Sequence, residues 1–151
     1  MKILVADDEE PKLASIVDWL SIFCSSSEIV TARSVRSAID VILDAKPELV
    51  LLDMSLPTFD VSPGETGGRP QGFGGIEVLR NLEFYGVDTK VIVITQYEAF
   101  HENGRHVDLR LLRERLIRES PGIFVDCVYY NAVSDEWKKE LGEYIGRTEG
   151  K

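Results

Sequence analysis

Residues 3–10 read ILVADDEE, four apolar residues that run directly into four acidic ones. An apolar run of this length is typical of a strand that is buried on both faces of a parallel sheet. Comparable runs occupy residues 49–52 (LVLL), 91–94 (VIVI) and 123–130 (IFVDCVYY), and a weaker one at residues 28–32 (EIVTA) suits an edge strand. The sequence therefore predicts five strands, and the acids that follow the first strand are candidates for a functional site.

Amphipathic helices are predicted between these strands, because apolar residues recur there at spacings of three and four. Pro11 opens the first helix, since proline is tolerated in a first turn. Ser34 suits the N-cap of the second helix, which ends at Lys46 and Pro47. Three more helices are predicted within residues 76–86, 109–116 and 134–145. This alternation predicts an α/β fold, a parallel sheet with helices on both faces.

Length and composition exclude several classes of protein. A chain of 151 residues corresponds to one domain, and 44% hydrophobic residues are enough for a core. The net charge of −9 disfavours nucleic-acid binding. No apolar run reaches the roughly 18 residues of a membrane span, so a cytoplasmic protein without a membrane partner is expected. Cys24 and Cys127 lack the spacing of a disulfide framework or a zinc site.

Polar residues follow the predicted strands at the edge where open α/β sheets bind their ligands. Asp7 and Asp8 follow the first strand, Asp53 the third, Thr95 the fourth and Asn131 the fifth. Two carboxylates about 4 Å apart repel by about 4 kcal/mol at an effective dielectric of about 20, so the aspartates require a cation or raised pKa values. A cluster of oxygen ligands favours Mg²⁺. Taken alone, the acidic segment after the first strand also suits a helix N-terminus.

With these residues, the sequence resembles the receiver domain of bacterial response regulators, the phosphorylated module of two-component signalling. The resemblance rests on residues 3–9 (ILVADDE), 51–57 (LLDMSLP) and 93–95 (VIT), and on the alternating elements over nearly the whole chain. It implies a doubly wound, flavodoxin-like (βα)5 fold with strand order 2-1-3-4-5. The chain is thus expected to be a single, stand-alone receiver domain that spans residues 1–151.

The resemblance also implies roles for individual residues. Asp53 would accept the phosphoryl group, and Thr95 would hydrogen-bond one of its oxygens. Asp8 would bind Mg²⁺ directly and Asp7 largely through water, and Asp53 and the backbone carbonyl of Ser55 would be further ligands. These roles agree with the chemistry, because Mg²⁺ neutralises the charge that builds on transferring phosphoryl oxygens.

The implied partners are a histidine kinase or phosphotransfer protein and a downstream protein that the sequence does not identify. The chain is expected to be a monomer or a weak homodimer. It would not be an enzyme, apart from Mg²⁺-dependent self-phosphorylation and dephosphorylation. Phosphorylation would bias a two-state loop and helix, so the output would be a change in protein contacts.

Three positions depart from the receiver pattern. Receivers usually carry a Lys at the end of the fifth strand, where this chain has Asn131. A neutral amide gives about half the strength of a charge-assisted hydrogen bond, which is worth about 1.5 to 3 kcal/mol. Lys12 in the first helix is a candidate for the missing charge, but a solvated Lys12 is expected. Gln96 replaces a small residue, and Val128 stands where an aromatic switch residue is usual.

Two segments are longer than in receivers. Residues 58–75, rich in Gly and Pro, form a predicted loop beside Asp53 without a phosphate-loop fingerprint. Residues 97–121 contain a predicted loop with both histidines, His101 and His106, and then a helix with five arginines: Arg105, Arg110, Arg113, Arg115 and Arg118. The first segment is either a lid or docking loop or a simple surface loop. The arginines either dock an acidic partner or are solvated.

Other functions compete with phosphorylation of Asp53. A pseudo-receiver would dock partners without phosphorylation, as the missing Lys suggests, although the retained aspartates and Thr95 argue against it. A haloacid-dehalogenase-like phosphohydrolase needs an Asp-x-Asp pair after the first strand, which residues 7–9 lack. Flavin binding is disfavoured because no phosphate loop follows that strand. The leading hypothesis is thus a phosphorylated receiver, with the pseudo-receiver as its alternative.

Overall fold

Strands and helices alternate along the computed structural model, which describes residues 1–60, 74–96, 99–102 and 105–149. The strands are β1 (Lys2–Ala6), β2 (Glu28–Ala32), β3 (Leu49–Leu52), β4 (Lys90–Thr95), β5 (Ala99–Glu102), β6 (Arg105–Asp108) and β7 (Phe124–Tyr129). The helices are α1 (Glu10–Phe23), α2 (Val35–Ala45), α3 (Gly74–Tyr85), α4 (Leu109–Glu119) and α5 (Glu136–Glu149). All the predicted strands and helices are present, and β5 and β6 add to them.

The main sheet has the strand order β2-β1-β3-β4-β7, and its strands pair in parallel. This confirms the order 2-1-3-4-5, with β7 as the fifth parallel strand. Its register keeps the carboxyl ends of the inner strands level, since Ala6 pairs with Leu52 and Leu52 pairs with Val93. Residues that follow β1 and β3 therefore meet the end of β4 at one edge of the sheet.

Helices cover both faces of this sheet, as the sequence predicts. On one face α2, α3 and α4 pack against the sheet, and on the other face α1 and α5 do so. Successive strand residues enter opposite layers, so that Val50 faces the first layer and Leu51 the second. Every residue of β3 is fully buried, which explains why its sequence is continuously apolar.

An antiparallel hairpin of β5 and β6 follows β4, with Ala99 opposite Asp108. The sequence predicts a loop here and places Arg105 on the following helix, and both predictions are wrong. Both histidines lie on the hairpin strands. Strands of four residues that carry charges lack the apolar run by which inner strands are found. The helix begins after the hairpin, where the Asp108 side chain accepts a hydrogen bond from the Leu111 N–H at 2.8 Å.

The long loop predicted at residues 58–75 falls largely on residues 61–73, which lie outside the described residues. Beyond it, α3 begins directly with Gly74 and Gly75. A Cβ atom on Gly74 would lie 1.9 Å from the Leu56 carbonyl oxygen, which is closer than atoms can approach. Glycine at this position therefore lets α3 pack against the backbone that follows β3.

Part of the arginine cluster is held within the molecule. Arg113 Nε of α4 lies 2.6 Å from Asp126 Oδ1 of β7, and the Tyr144 hydroxyl of α5 donates to Asp126 Oδ2. Arg115 pairs with Glu119 at 3.0 Å. Asp126 thus joins α4 and α5 to the edge of the sheet, so Arg113 is not simply a solvated charge.

The two cysteines behave as core residues. Cys24 and Cys127 are both buried. Burial raises the pKa of the Cys127 thiol to about 12, so the thiol stays protonated and behaves as a small apolar side chain.

In the described ranges, none of the helices is long and apolar enough to span a membrane.

Candidate functional site

Asp7, Asp8 and Asp53 lie together at the carboxyl edge of the sheet. One carboxylate oxygen from each of them lies within 4.8 Å of the others. Asp7 and Asp8 follow β1, and Asp53 follows β3, the strand that pairs with β1. The structure therefore brings together the three aspartates that the sequence singles out.

Backbone hydrogen bonds hold these aspartates in place. The Asp53 N–H donates to the Ala6 carbonyl at 2.9 Å, which extends the pairing of β1 and β3 by one residue. Asp7 Oδ1 accepts the Glu9 N–H at 2.9 Å and so closes the turn into α1. Asp7 and Asp53 are only 1% and 4% exposed, whereas Asp8 is exposed. Two of the carboxylates are thus removed from water, while Asp8 faces it.

Crowding and burial change the titration of this cluster. Burial raises the pKa of Asp53 to about 6, with Lys12 opposing the rise and Asp7 adding to it. Partial burial also raises the pKa of Asp8, and the neighbouring Asp7 carboxylate contributes. Both shifts have the cause expected for neighbouring carboxylates with restricted access to water. Additional positive charge at this edge would favour the ionised forms.

Lys12 contacts the cluster with its ammonium group. Its Nζ lies 2.8 Å from Asp7 Oδ2, 3.2 Å from Asp53 Oδ1 and 2.9 Å from the Ile94 carbonyl oxygen. The side chain is 1% exposed, so the expectation of a solvated Lys12 is wrong. Burial lowers the pKa of Lys12, but Asp53 and Asp7 outweigh burial and the pKa is raised overall. The ammonium therefore stays charged within the site.

The helical period explains why Lys12 points inward. The buried residues of α1 are Lys12, Leu13, Ile16 and Leu20. Lys12 precedes Ile16 by four positions and so lies on the apolar face of the helix that packs on the sheet. This spacing is the signal in the sequence that identifies Lys12. It is easily missed, because a lysine at a helix end is ordinarily solvated.

Thr95 and Gln96 lie at the end of β4, beside the aspartates. Thr95 is fully buried, and its carbonyl oxygen accepts the Tyr130 N–H at 2.7 Å, which keeps β4 and the chain after β7 paired up to the site. Gln96 Nε2 donates to Glu9 Oε2 and thereby links the end of β4 to the start of α1. Gln96 therefore contacts the acidic segment at the mouth of the site.

Asn131 and Ser55 are the remaining site residues predicted from the sequence. Asn131 follows β7 at the same edge, but its Oδ1 accepts the Val133 N–H at 3.0 Å. Ser55 lies just beyond Asp53, and a hydrogen bond from its backbone favours the ionised Asp53 carboxyl. Among the described residues, the cation that touches Asp53 comes from α1 and not from the end of β7.

The side chains of the site fit a divalent metal ion. Three carboxylates and one ammonium leave a net charge of −2, which a divalent cation neutralises. Carboxylate oxygens are the hard ligands that Mg²⁺ prefers. Asp7 Oδ2 is buried and, within the described ranges, accepts no hydrogen bond of good geometry, although the Lys12 ammonium is close. A buried oxygen of this kind has capacity for a further ligand.

Solved structures with the same architecture are receiver domains. A CheY-like response regulator receiver domain from Methanospirillum hungatei has a TM-score of 0.65 and 17% identity, covering 99% of this chain and 96% of its own. The response regulator TrrA from Thermotoga maritima, solved in complex with Mg²⁺ and BeF, has a TM-score of 0.59 and 22% identity, covering 94% of this chain and 96% of its own. At such identities the likeness shows the fold, which is the receiver fold.

Related sequences show the family. The Detocs response regulatory protein DtcB of Enterobacter cloacae is 31% identical over 146 residues, covering 93% of this chain and 95% of DtcB. DtcB of Vibrio alginolyticus is 27% identical over 148 residues, covering 95% of this chain and 98% of its own. No protein-family model matches the chain. The chain belongs to the response regulator receivers, which are generally non-enzymatic proteins of phosphorelay signalling.

Proposed function

We propose that this protein is a phosphorelay receiver that is phosphorylated on Asp53 in a Mg²⁺-dependent reaction. The observation that carries the proposal is the cluster of Asp7, Asp8 and Asp53 within 4.8 Å of one another at the carboxyl edge of the sheet. A docking surface alone does not require three carboxylates so close together, because their repulsion opposes folding. A site that binds a metal ion and reacts with a phosphoryl donor does require them.

Asp53 is the proposed nucleophile. One of its carboxylate oxygens attacks the phosphorus of a phosphohistidine on a histidine kinase or phosphotransfer protein. The bond from Asp53 Oδ to phosphorus forms, the phosphorus–nitrogen bond breaks, and its electron pair returns to the imidazole nitrogen. Because β3 and its hydrogen bond to Ala6 hold Asp53 in place, the chain mainly positions the reacting oxygen.

Asp7, Asp8, Asp53 and the backbone carbonyl of Ser55 are the proposed ligands of Mg²⁺. When bound, Mg²⁺ supplies positive charge beside the phosphoryl oxygens in the transition state. The exposure of Asp8 supports this assignment, since the ion needs an open side toward the donor. Thr95, buried at the end of β4, is the proposed hydrogen-bond donor to a phosphoryl oxygen.

The proposed output is a change in protein contacts. Thr95 directly precedes the segment that leads into the β5–β6 hairpin and α4, so inward movement of Thr95 would act on both. The receiver is further proposed to be cytoplasmic, to span residues 1–151 as a single domain and to be a monomer or weak homodimer, since a net charge of −9 opposes strong self-association. Its proposed partners are a phosphodonor kinase or phosphotransfer protein and a downstream protein.

Incubation with acetyl phosphate and Mg²⁺ tests the proposal without a kinase. Intact-mass spectrometry should detect one added phosphoryl group on the wild type, and none on Asp53→Asn or in excess chelator. Asp44→Asn is the matched control, because Asp44 is exposed on α2, and it should be phosphorylated like the wild type. A wild type that takes up no phosphoryl group, or an Asp53→Asn variant that does, would favour the pseudo-receiver.

A further inference from the structure

We infer that the Lys12 ammonium of α1 is the cation that binds the phosphoryl group on Asp53. Asn131 is neutral and cannot supply this positive charge. This inference rests on the proposed phosphorylation of Asp53. It assigns a phosphate-binding role to a residue of the first helix, whereas the other residues of the site lie at or just after the ends of strands.

The ammonium of Lys12 lies beside the atom that would be phosphorylated. Its Nζ donates to Asp53 Oδ1 at 3.2 Å and to the Ile94 carbonyl at 2.9 Å, and it pairs with Asp7 Oδ2 at 2.8 Å. Two of the three N–H donors of the ammonium thus go to the Asp53 carboxylate and the Ile94 carbonyl, while Asp7 contributes an ion pair. Lys12 therefore spans the carboxyl ends of β1, β3 and β4, where the phosphoryl group would be attached.

Phosphorylation moves negative charge away from the carboxyl group. Once Asp53 Oδ is bonded to phosphorus, the charge resides on the phosphoryl oxygens, and the contact between Lys12 and the Asp53 carboxylate loses most of its attraction. An N–H of Lys12 is then available to a phosphoryl oxygen close by, and such charge-assisted hydrogen bonds to phosphate are among the strong ones in proteins. Lys12 thus binds the Asp53 carboxylate before phosphoryl transfer and a phosphoryl oxygen after it.

The position of Lys12 is unfavourable for a residue without such a task. It lies in the first turn of α1, where the helix dipole disfavours positive charge. The side chain is 1% exposed, so the ammonium has also lost its hydration. The neighbouring carboxylates and the Ile94 carbonyl compensate these costs. The Lys12 ammonium and the aspartates therefore form one functional unit.

The residues that follow β7 do not occupy the position of the Lys12 ammonium beside Asp53. The Asn131 side chain accepts the N–H of Val133, two residues further along the chain. The ring of Tyr130, the residue before it, is centred 5.9 Å from Lys12 Nζ and packs on Trp137. The aromatic ring thus encloses the ammonium from the side of β7, which limits its access to water and strengthens its electrostatic contacts.

Lys12→Met separates this role from a purely structural one, with binding measured by calorimetry for Mg²⁺ alone and then for beryllofluoride at saturating Mg²⁺. The variant should bind beryllofluoride about ten- to a hundredfold more weakly, the loss expected for one charge-assisted hydrogen bond. It should bind Mg²⁺ at least as tightly as the wild type, since a competing positive charge is gone. Loss of a lysine that only stabilises the fold would not weaken beryllofluoride binding while leaving Mg²⁺ binding intact.

Lys139→Met is the matched control, because it removes the same charge from an exposed position on α5, and both affinities should stay within about twofold of the wild type. Adding Asn131→Lys to Lys12→Met should restore beryllofluoride binding at least in part. Where Lys12→Met does not fold, Lys12→Gln keeps a donor for the Ile94 carbonyl and should show the same loss.

Two results would overturn the inference in different ways. Wild-type-like beryllofluoride affinity in Lys12→Met or Lys12→Gln would show that Lys12 does not hold the phosphoryl group, while phosphorylation of Asp53 would stand. A wild type that binds no beryllofluoride would overturn the proposed function and this inference with it.

Discussion

Asp53 is a buried carboxyl group whose ionisation is coupled to folding. Its environment combines the Lys12 ammonium at 3.2 Å with the other two carboxylates of the cluster. Burial still dominates, and the pKa of Asp53 rises to about 6. Holding this residue ionised at neutral pH therefore costs stability, which a metal ion would restore by binding to the folded state alone.

The raised pKa predicts how stability depends on pH. The unfolded chain loses the Asp53 proton near pH 3.8, whereas the folded chain keeps it to about pH 6. Between these values the folded state binds more protons, so this group makes stability fall as pH rises. At about 1.36 kcal/mol per pKa unit the full effect is about 3 kcal/mol, and Asp53→Asn should gain about 2 kcal/mol of it relative to wild type between about pH 4 and about pH 7.

Urea unfolding of both proteins across this range, in chelator, measures the effect. The difference between the two unfolding free energies is the relevant quantity, because the contributions of carboxyl groups far from the site then cancel. A difference that stays constant with pH would show that the Asp53 pKa is not raised by folding.

Among the elements, α3 is placed by contacts that tolerate little change. Gly75 N–H donates to the Met54 carbonyl at 2.9 Å, so the first turn of α3 is hydrogen-bonded to the segment that follows Asp53. Gly74 and Gly75 are both buried against that segment. The start of α3 thus supports the backbone that presents Asp53 and Ser55.

Gly74→Ala should destabilise the fold. Its Cβ would lie 1.9 Å from the Leu56 carbonyl oxygen, so backbone atoms must move, and such overpacking typically costs about 1 to 3 kcal/mol. Gly146→Ala is the matched control, because no atom lies within 4 Å of a Cβ on Gly146 of α5. It should gain up to about 1 kcal/mol from helix propensity.

The two glycine variants are compared by urea unfolding. Equal stability of Gly74→Ala and Gly146→Ala would contradict the close approach of α3 to the segment after β3. The comparison isolates packing, since both variants add the same methyl group to a helix.

Strands that are buried on both faces are the elements that the sequence predicts best. The inner strands were found because burial on both faces makes them continuously apolar, as in residues 49–52. The β5–β6 hairpin was missed, because each strand has only four residues and carries charges. Lys12 was misjudged, because its burial depends on Asp7 and Asp53, which approach it only in the folded chain. The aspartates were found because parallel strands align their carboxyl ends.

At the scale of the whole molecule, the site and the far edge of the sheet are joined through β4 and β7. The chain from Thr95 leads into the hairpin and then α4, and Arg113 of α4 is paired with Asp126 of β7 at 2.6 Å. A change at Thr95 that moves α4 must therefore act against this ion pair. The surface that responds to phosphorylation is expected to include the hairpin, α4 and the adjoining part of β7.

Asp53 is proposed to accept a phosphoryl group, and this modification is expected to change the environment of α4. An amide NMR titration of the wild type with Mg²⁺, followed by beryllofluoride as a mimic of the acyl phosphate, tests this proposal most directly. Mg²⁺-dependent shifts are expected near Asp8 and Asp53. Beryllofluoride should cause further shifts at Thr95 and along α4, and these should be absent from Asp53→Asn. A wild type that binds Mg²⁺ without responding to beryllofluoride, or an Asp53→Asn variant that responds like the wild type, would contradict the proposal.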